Sequence, residues 1–393
     1  MADSYWTKRA QKRMDDTQRK AGSVIARLAR AFRRAMDNLT RHVVKIAENY
    51  AKAFELTEEE AEQALSDPCG YEEYARLVEA IKDMPEGEER HRMEARAFTG
   101  AYSYRMKRAD ALKADIAAQT STLYGEVDKQ TGDLLREIAK EADAQAAYEQ
   151  QVRAGAGMAF DRMDTASAEE LARRPWAGAD YSERIWGDRE RLRKQLEELV
   201  TPSILSGMNQ KDIAKVLSKR MQVGYRNAER LVRTEAAHIQ NEAALERYRK
   251  SGTKEYQYIS ALDDRTCEAC GDLDGQVFEV AKGKAGENLP PMHPWCRCTI
   301  VPVVQGHKLR ERLGRDGKGK NVLLPGDMTY GEWLAWQQAG CPEDVKRREI
   351  TVDNATKMVV LKSERKDDTI DWSNAEFASP ELRDRHFAKH KEE

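Results

Sequence analysis

The sequence predicts an α+β protein that is predominantly α: long amphipathic helices fill the N-terminal half, and a small β-containing, cysteine-rich module of zinc-ribbon type follows. Three observations predict this. Apolar residues recur at spacings of three and four along most of the first half, the mark of helices with one buried stripe. Charged residues make up 34% of the 393, against roughly a quarter in ordinary domains, and mean hydropathy is -0.79, so those stripes are narrow and the remaining faces solvated. Four of the six cysteines crowd into one short segment in which β-branched and aromatic residues replace the helical pattern.

In order along the chain, Ile25, Leu28, Phe32, Ala35, Leu39, Val43, Ile46, Tyr50 and Phe54 define a helix from Ser4 to about Leu56. Thr57-Glu58-Glu59-Glu60 fits a capping box opening a short second helix, which Ser66-Asp67-Pro68-Cys69-Gly70 ends. Tyr71 to Met84 reads as a third helix. A fourth runs from about Glu88 to Arg153, with Gly100, Gly125 and Gly132 as places to bend or break. Periodicity lapses at Ala154-Gly155-Ala156-Gly157, and Pro175 to Asp180 reads as a loop. Helices resume at Arg184 to Val200, at Gln210 to Leu217 behind an Asn209 N-cap, and at Gly224 to Lys250. Glu255 to Ser260, Gln276 to Val280 and Thr299 to Val304 read as strands. Lys308 to Lys320 is basic and glycine-containing, a linker or mobile loop. Met328 to Gln338 is a short helix, Ile350 to Val352 and Met358 to Leu361 are candidate paired strands, and Ser363 to Glu393 is a charged tail poor in apolar residues. The expected organisation is therefore 1–154, a long-helix region for docking a partner; 181–305, helices plus the cysteine module; and 306–393, linker, short helix and tail.

The chemistry lies in the cysteine segment. Cys267-Glu268-Ala269-Cys270 is a CxxC knuckle whose spacer lets both thiolates reach one tetrahedral ion. His293, Cys296 and Cys298 supply three further candidate ligands about twenty-five residues on, a loop length that suits a structural zinc ribbon. Five candidates compete for four positions: Cys267, Cys270 and Cys296 rank first, while Cys298 and His293 contend for the fourth. Alternate residues of an extended strand point to opposite sides, so Cys296 and Cys298 share an ion only if the backbone turns between them. Unmetallated buried thiols and a disulfide are the alternatives. Asp263 and Asp264 are placed to cap the knuckle turn, with Gly275 permitting the next. Arg233-Thr234-Glu235 could position a partner or substrate, but neighbours at i, i+4 such as Glu229 and Arg233 need nothing more than solvent-facing charge pairs.

Several function classes drop out. Lys plus Arg (66) and Asp plus Glu (68) nearly cancel, so no bulk positive field attracts nucleic acid or anionic lipid. No stretch approaches the roughly 18 apolar residues of a membrane span, and the start lacks the apolar core of a signal peptide, so a soluble protein made in the cytosol is expected, without membrane contact. His293 is followed by Pro294 and Trp295, not by the Glu of an HxE deaminase site, and no HExxH, GxxxxGK[ST] or GxSxG occurs. A structural metal is favoured over a catalytic one.

Taken in order, Arg233-Thr234-Glu235, then Asp264-Arg265-Thr266-Cys267-x-x-Cys270, Leu273-x-Gly275, and Pro290-Pro291-x-His293-Pro294-x-Cys296-Arg297-Cys298 resemble the phage Mu F-like head morphogenesis family. The resemblance is strongest from about Arg184 to Pro302. It implies a non-enzymatic minor capsid protein of a tailed bacteriophage or prophage, located in the virion at the head interior or portal vertex. The implied partners are the portal protein during procapsid assembly and the scaffold or major capsid protein. The family's cysteine and histidine positions transfer onto Cys267, Cys270, His293, Cys296 and Cys298 without settling which bind metal. Some members carry a C-terminal toxin domain; Leu382 to His390 faintly resembles the opening of such a nuclease, followed by too few residues for a catalytic core. The competing readings are a metal-dependent enzyme on nucleic acid, with Glu235 or Asp264 as base, and a head protein with a truncated toxin. Two basic clusters, Arg27-Arg30-Arg33-Arg34 and Lys308 to Lys320, are candidates for non-specific DNA contact.

Overall fold

The computed structural model describes residues 3–53, 57, 59, 71–87, 90, 102–154, 161–206, 208–303, 311–325, 328–341, 350–353 and 358–361. The short helix expected from Thr57, the toxin-like Leu382 to His390 and the whole tail from Ser363 lie outside these residues, apart from Thr57 and Glu59 themselves. Six helices precede the first strand among the described residues: α1 (Asp3–Ala53), α2 (Tyr71–Lys82), α3 (Tyr102–Ala154), α4 (Thr165–Arg173), α5 (Tyr181–Leu205) and α6 (Gln210–Lys250). Then come β1 (Glu255–Ile259), α7 (Glu268–Leu273), β2 (Val277–Glu279), β3 (Thr299–Pro302), β4 (Glu311–Arg315), β5 (Asn321–Pro325), α8 (Tyr330–Gln338), β6 (Ile350–Asp353) and β7 (Met358–Leu361).

The chain forms two compact units, each built from separate stretches. One comprises residues 21–134 and 173–232; the other comprises 1–20, 135–172 and 233–393. The segments 1–154 and 181–305 read from composition are thus each shared between the two units.

In the first unit, α1 and α3 lie antiparallel. Arg27 Nε meets Gln130 Oε1 at 3.0 Å, Arg34 Nη2 meets Glu126 Oε2 at 3.2 Å, and His42 Nδ1 meets Asp115 Oδ2 at 2.7 Å, so partner numbers fall as α1 advances. The stripe of α1 is buried in the protein's own core: Leu28, Phe32 and Leu39 are at most 4% exposed, and the Phe32 ring stands 5.8 Å, edge-on, from both Tyr124 of α3 and Tyr225 of α6. α3 runs unbroken through Gly125 and Gly132; an isolated helical glycine costs about 1 kcal/mol, which packing along a helix of 53 residues absorbs.

The sequence suggests two helices between Gln210 and Lys250, and the structure has one. Ile213, Leu217, Met221 and Ala228 keep the buried spacing across the expected gap. Gly224, which reads as a start, is instead a contact: a Cβ there would stand 2.6 Å from Leu192 Cδ2 of α5. Asn209 caps the helix as expected, its Oδ1 accepting the Asp212 N–H at 2.9 Å. α5 starts earlier than its apolar pattern because Asp180 and Glu183 form a reciprocal capping box. α4 was not legible from its apolar pattern, although Asp164 accepting the Ser167 N–H at 2.7 Å is a readable N-cap signal.

The second unit contains a three-stranded antiparallel sheet of order β2-β1-β3. Tyr256 and Ile300 of the sheet pack with Leu245 and Tyr248 of α6, Ala146 of α3 and Leu289. Residues 308–320, expected as a linker, contribute strand β4, which pairs with β5 in a hairpin. Its turn is closed by Asp316, whose Oδ1 accepts N–H groups of Lys318 and Lys320, with Gly319 at φ +75°. Gly319 therefore serves a tight turn, not chain mobility. α8 closes a second apolar cluster, Leu262, Leu324, Met328, Tyr330, Trp333 and Trp336, and β6 pairs with β7 in register Ile350 to Leu361 as expected.

Candidate metal centre

The cysteine cluster sits at one end of β1. That strand delivers Tyr258, and its continuation through Ala261 to Asp263 leads into the knuckle. Cys267 is the N-cap residue of the single-turn α7 and Cys270 lies within it, so the CxxC spacing is one helical turn that brings both sulfurs to the same side. His293, Cys296 and Cys298 arrive on the loop entering β3. The loop turns where the Cys296 N–H bonds the His293 carbonyl at 3.2 Å and where Trp295 adopts φ +68°. This turn lies between His293 and Cys296 and brings both toward Cys270.

The five ligand atoms divide into two overlapping groups, Cys267, Cys270 and His293, and Cys270, Cys296 and Cys298, each mutually within 4.8 Å. Cys270 is common to both and the expected trio of Cys267, Cys270 and Cys296 is split between them. Cys270 Sγ lies 3.8 Å from Cys296 Sγ and 3.4 Å from His293 Nε2. The first distance is far beyond a bonded S–S pair of about 2.05 Å, and the cysteines are free thiols. Cys270, Cys296 and Cys298 are at most 2% exposed, while Cys267 and His293 are half-buried. His293 Nδ1 lies 2.7 Å from the Pro294 carbonyl; a carbonyl only accepts, so Nδ1 carries the proton and Nε2 directs its lone pair toward Cys270.

Crowding separates the thiols electrostatically. Hydrogen bonding by Cys270 and Cys298 holds Cys296 well below the usual thiol range. The reciprocal bond from Cys296, then that of Cys298 and burial, drive Cys270 strongly upward. One thiolate shared among buried sulfurs is an arrangement that a bound cation would complete, since metals displace thiol protons.

Around these atoms stands a shell that sequence reading largely missed. The Tyr258 hydroxyl, on a residue with 0% exposure, donates to Cys270 Sγ at 3.4 Å. Ser260 Oγ donates to the Cys270 carbonyl at 2.5 Å, and Asp274 Oδ1 accepts the Ser260 N–H at 2.8 Å. Asn241 of α6 donates to the Cys298 carbonyl at 3.2 Å. Asp263 caps the turn by accepting the Arg265 N–H at 3.1 Å, as expected, and takes the forked Arg297 guanidinium, Nη2 at 2.6 Å. Burial opposes ionisation of Asp263, but Arg297 outweighs it and holds the carboxyl below its ordinary range.

Arg233-Thr234-Glu235 is not a solvent-facing charge row: Thr234 and Glu235 are buried. Thr234 Oγ1 accepts the Trp295 N–H at 3.2 Å, and the Arg233 guanidinium lies 5.8 Å from the centre of the Trp295 ring. Thr234 and Arg233 thus hold the turn between His293 and Cys296.

Residues 194–301 match the family model described as Phage Mu protein F like protein. This segment is Mu F-like. It begins inside α5, contains all of α6 and the knuckle, and ends on β3, so all five candidate ligands and the supporting Thr234 and Asn241 fall within it. Among curated proteins, the chain is 25% identical over 181 residues to an NAD(+)--arginine ADP-ribosyltransferase EFV of Enterococcus faecalis, covering 42% of this chain and 36% of that protein. It is 25% identical over 114 residues to an uncharacterized protein of Haemophilus influenzae, covering 29% and 26%. It is 23% identical over 252 residues to minor head protein GP7 of Bacillus phage SPP1, covering 61% and 80%. The match thus spans about a third and a quarter of the first two relatives. No solved structure matches the chain. No helix among the described residues is long and apolar enough to cross a membrane.

Proposed function

We propose that this protein is a non-enzymatic minor head protein of a tailed phage or prophage, acting in head morphogenesis at the portal, and that its knuckle holds one structural zinc ion. The observation that carries the reading is the placement of the whole knuckle and its locking residues inside the Mu F-like segment. Likeness to a phage minor head protein over 80% of that protein's length supports it. The portal, and secondarily the scaffold or major capsid protein, are the partners, met in the virion. Because the α1 stripe is covered internally, such docking uses exposed polar faces of the long helices. Mass spectrometry of purified procapsids and finished particles tests the role: a few copies per portal are expected, and absence from both preparations refutes it.

Zinc fits the donor set. Metal distances of about 2.3 Å to sulfur and 2.0 Å to nitrogen give tetrahedral edges of about 3.8 Å between sulfurs and 3.5 Å between sulfur and nitrogen. Cys270 stands at 3.8 Å from Cys296 and 3.4 Å from His293. Both edges meet at Cys270, so the proposed ligand set is Cys267, Cys270, His293 and Cys296, which requires the two groups of donors to close on one ion, with Cys298 the alternative to His293. When bound, zinc would join α7 to the loop entering β3.

Tyr258 then acts as the donor that steadies the Cys270 thiolate. Tyr258→Phe removes one hydroxyl from a packed site and is expected to weaken zinc affinity by about 10–100-fold, the usual cost of losing an outer-shell partner. Competition against a chromophoric chelator measures it. Equal affinities in the two proteins would deny Tyr258 that role.

A further inference from the structure

The segment from β4 to α8 lies beyond residue 301, where the Mu F-like match ends, yet it grips the chain that leads into the knuckle. The Arg315 N–H bonds the Leu262 carbonyl at 3.1 Å, and Trp333 Nε1 donates to the Arg315 carbonyl at 2.9 Å. The Tyr330 hydroxyl donates to the carbonyl of Thr266, the residue before Cys267, at 2.8 Å. Tyr330 also lies against α7: a Cβ on Gly271, the residue after Cys270, would overlap the tyrosine ring.

What holds α8 is equally local. Its nine residues fall short of the roughly 12–15 at which a helix is marginally stable alone, so its order comes from packing. The apolar cluster that Tyr330, Trp333 and Trp336 of α8 form with Leu262, Leu324 and Met328 shares no member with the cluster that seats the sheet on α6. Leu262 belongs to the stretch between β1 and the knuckle, and α7 is itself only six residues long. Two weak elements therefore support each other. We infer that β4, β5 and α8 form a clasp whose closure is coupled to occupation of the knuckle: an ordered α7 gives Tyr330 its seat on Gly271 and Thr266, and a seated Tyr330 holds Cys267 and Cys270 in place for the ion. This rests on the structural-zinc reading and goes beyond it. α8 carries none of the five candidate ligands and contacts β6 and β7, so loss of the ion loosens the chain past the family segment as well. Linkage sets the size of the effect, because the factor by which zinc favours the closed clasp is also the factor by which a closed clasp tightens zinc.

Hydrogen exchange of the full chain with and without zinc, and competition for zinc against a chromophoric chelator, test the coupling. Stripping zinc from the parent should raise exchange across 330–338 about tenfold, within the usual span of about 5–150-fold for coupled sites. Tyr330→Ala should weaken zinc affinity by a similar factor. Tyr330→Phe removes only the bond to Thr266 and should weaken it about 2–10-fold. Leu334→Ala, at an exposed position of α8, should leave it unchanged. Zinc bound equally well by the parent and both Tyr330 variants overturns the clasp, as does unchanged exchange at 330–338 when stripping accelerates 258–301. The structural-zinc reading survives either of those results; a parent that holds no zinc defeats it and the clasp together.

Discussion

Cys270→Ser is expected to leave the protein without metal and to open the module from β1 to β3 while the long helices persist. Cys270 is the one ligand common to both groups of mutually close donors, so its loss leaves neither group intact whichever four residues bind. Structural zinc in small finger peptides contributes about 10–16 kcal/mol of apparent binding free energy that is also folding free energy. Here the sheet has apolar support of its own, Tyr256 and Ile300 against Leu245 and Tyr248, so only part of that is at stake. The region that suffers most is α7 and the loop carrying His293 to Cys298. Metal analysis should fall from one zinc per chain to none, and hydrogen exchange should accelerate across 258–301 with 102–154 unchanged. Cys298→Ser, in contrast, should keep its zinc, and His293→Ala should lose it. A zinc-free parent protein, or equal protection in parent and Cys270→Ser, would defeat the structural-metal reading; zinc lost with Cys298 but kept without His293 would reassign the fourth ligand.

The two levels of the molecule differed in how far the sequence disclosed them. Helices such as α1 and α3 were legible because an apolar stripe is a local, repeated signal, and the CxxC knuckle because ligand spacing is set within one helical turn. Errors arose where one residue type serves two purposes. Gly224 reads as a helix start, yet a Cβ there would stand 2.6 Å from a leucine, so it marks a close approach between elements. Gly319 looks like a linker residue and closes a hairpin. What could not be read at all was pairing over long separations. Thr234 holds Trp295 across 61 positions and Asn241 holds Cys298 across 57; nothing local to either residue announces its partner. The clustering of the four cysteines and His293 was therefore visible beforehand, and the frame that positions them was not.

The same lack of a local signal hides the ion pair on which the second large effect rests. Asp143 of α3 is 0% exposed and Arg247 of α6 is 8% exposed. Arg247 Nε and Nη2 reach the two carboxylate oxygens at 2.8 and 2.6 Å, and Nη2 also donates to the Asp161 carbonyl at 2.8 Å. The Met163 N–H bonds Asp143 Oδ2 at 3.2 Å. One carboxylate thus ties the C-terminal part of α3, the chain entering α4 and the helix that holds the knuckle. Asp143→Ala deprives a buried guanidinium of its counter-charge and is expected to cost about 3–5 kcal/mol, the penalty for breaking rather than replacing a buried pair. Arg247→Lys keeps the charge but not the fork, so it too should destabilise. Replacing both partners, Asp143→Leu with Arg247→Met, removes the desolvation cost along with the attraction, and should recover most of the loss. Urea unfolding followed by circular dichroism, with the variants compared at constant m-value, separates these cases. A loss below about 1 kcal/mol for Asp143→Ala would mean that solvent reaches the pair as it does an exposed one. A double variant no better than the single would mean that the hydrogen bonds to Asp161 and Met163, not the paired charges, hold the three segments together.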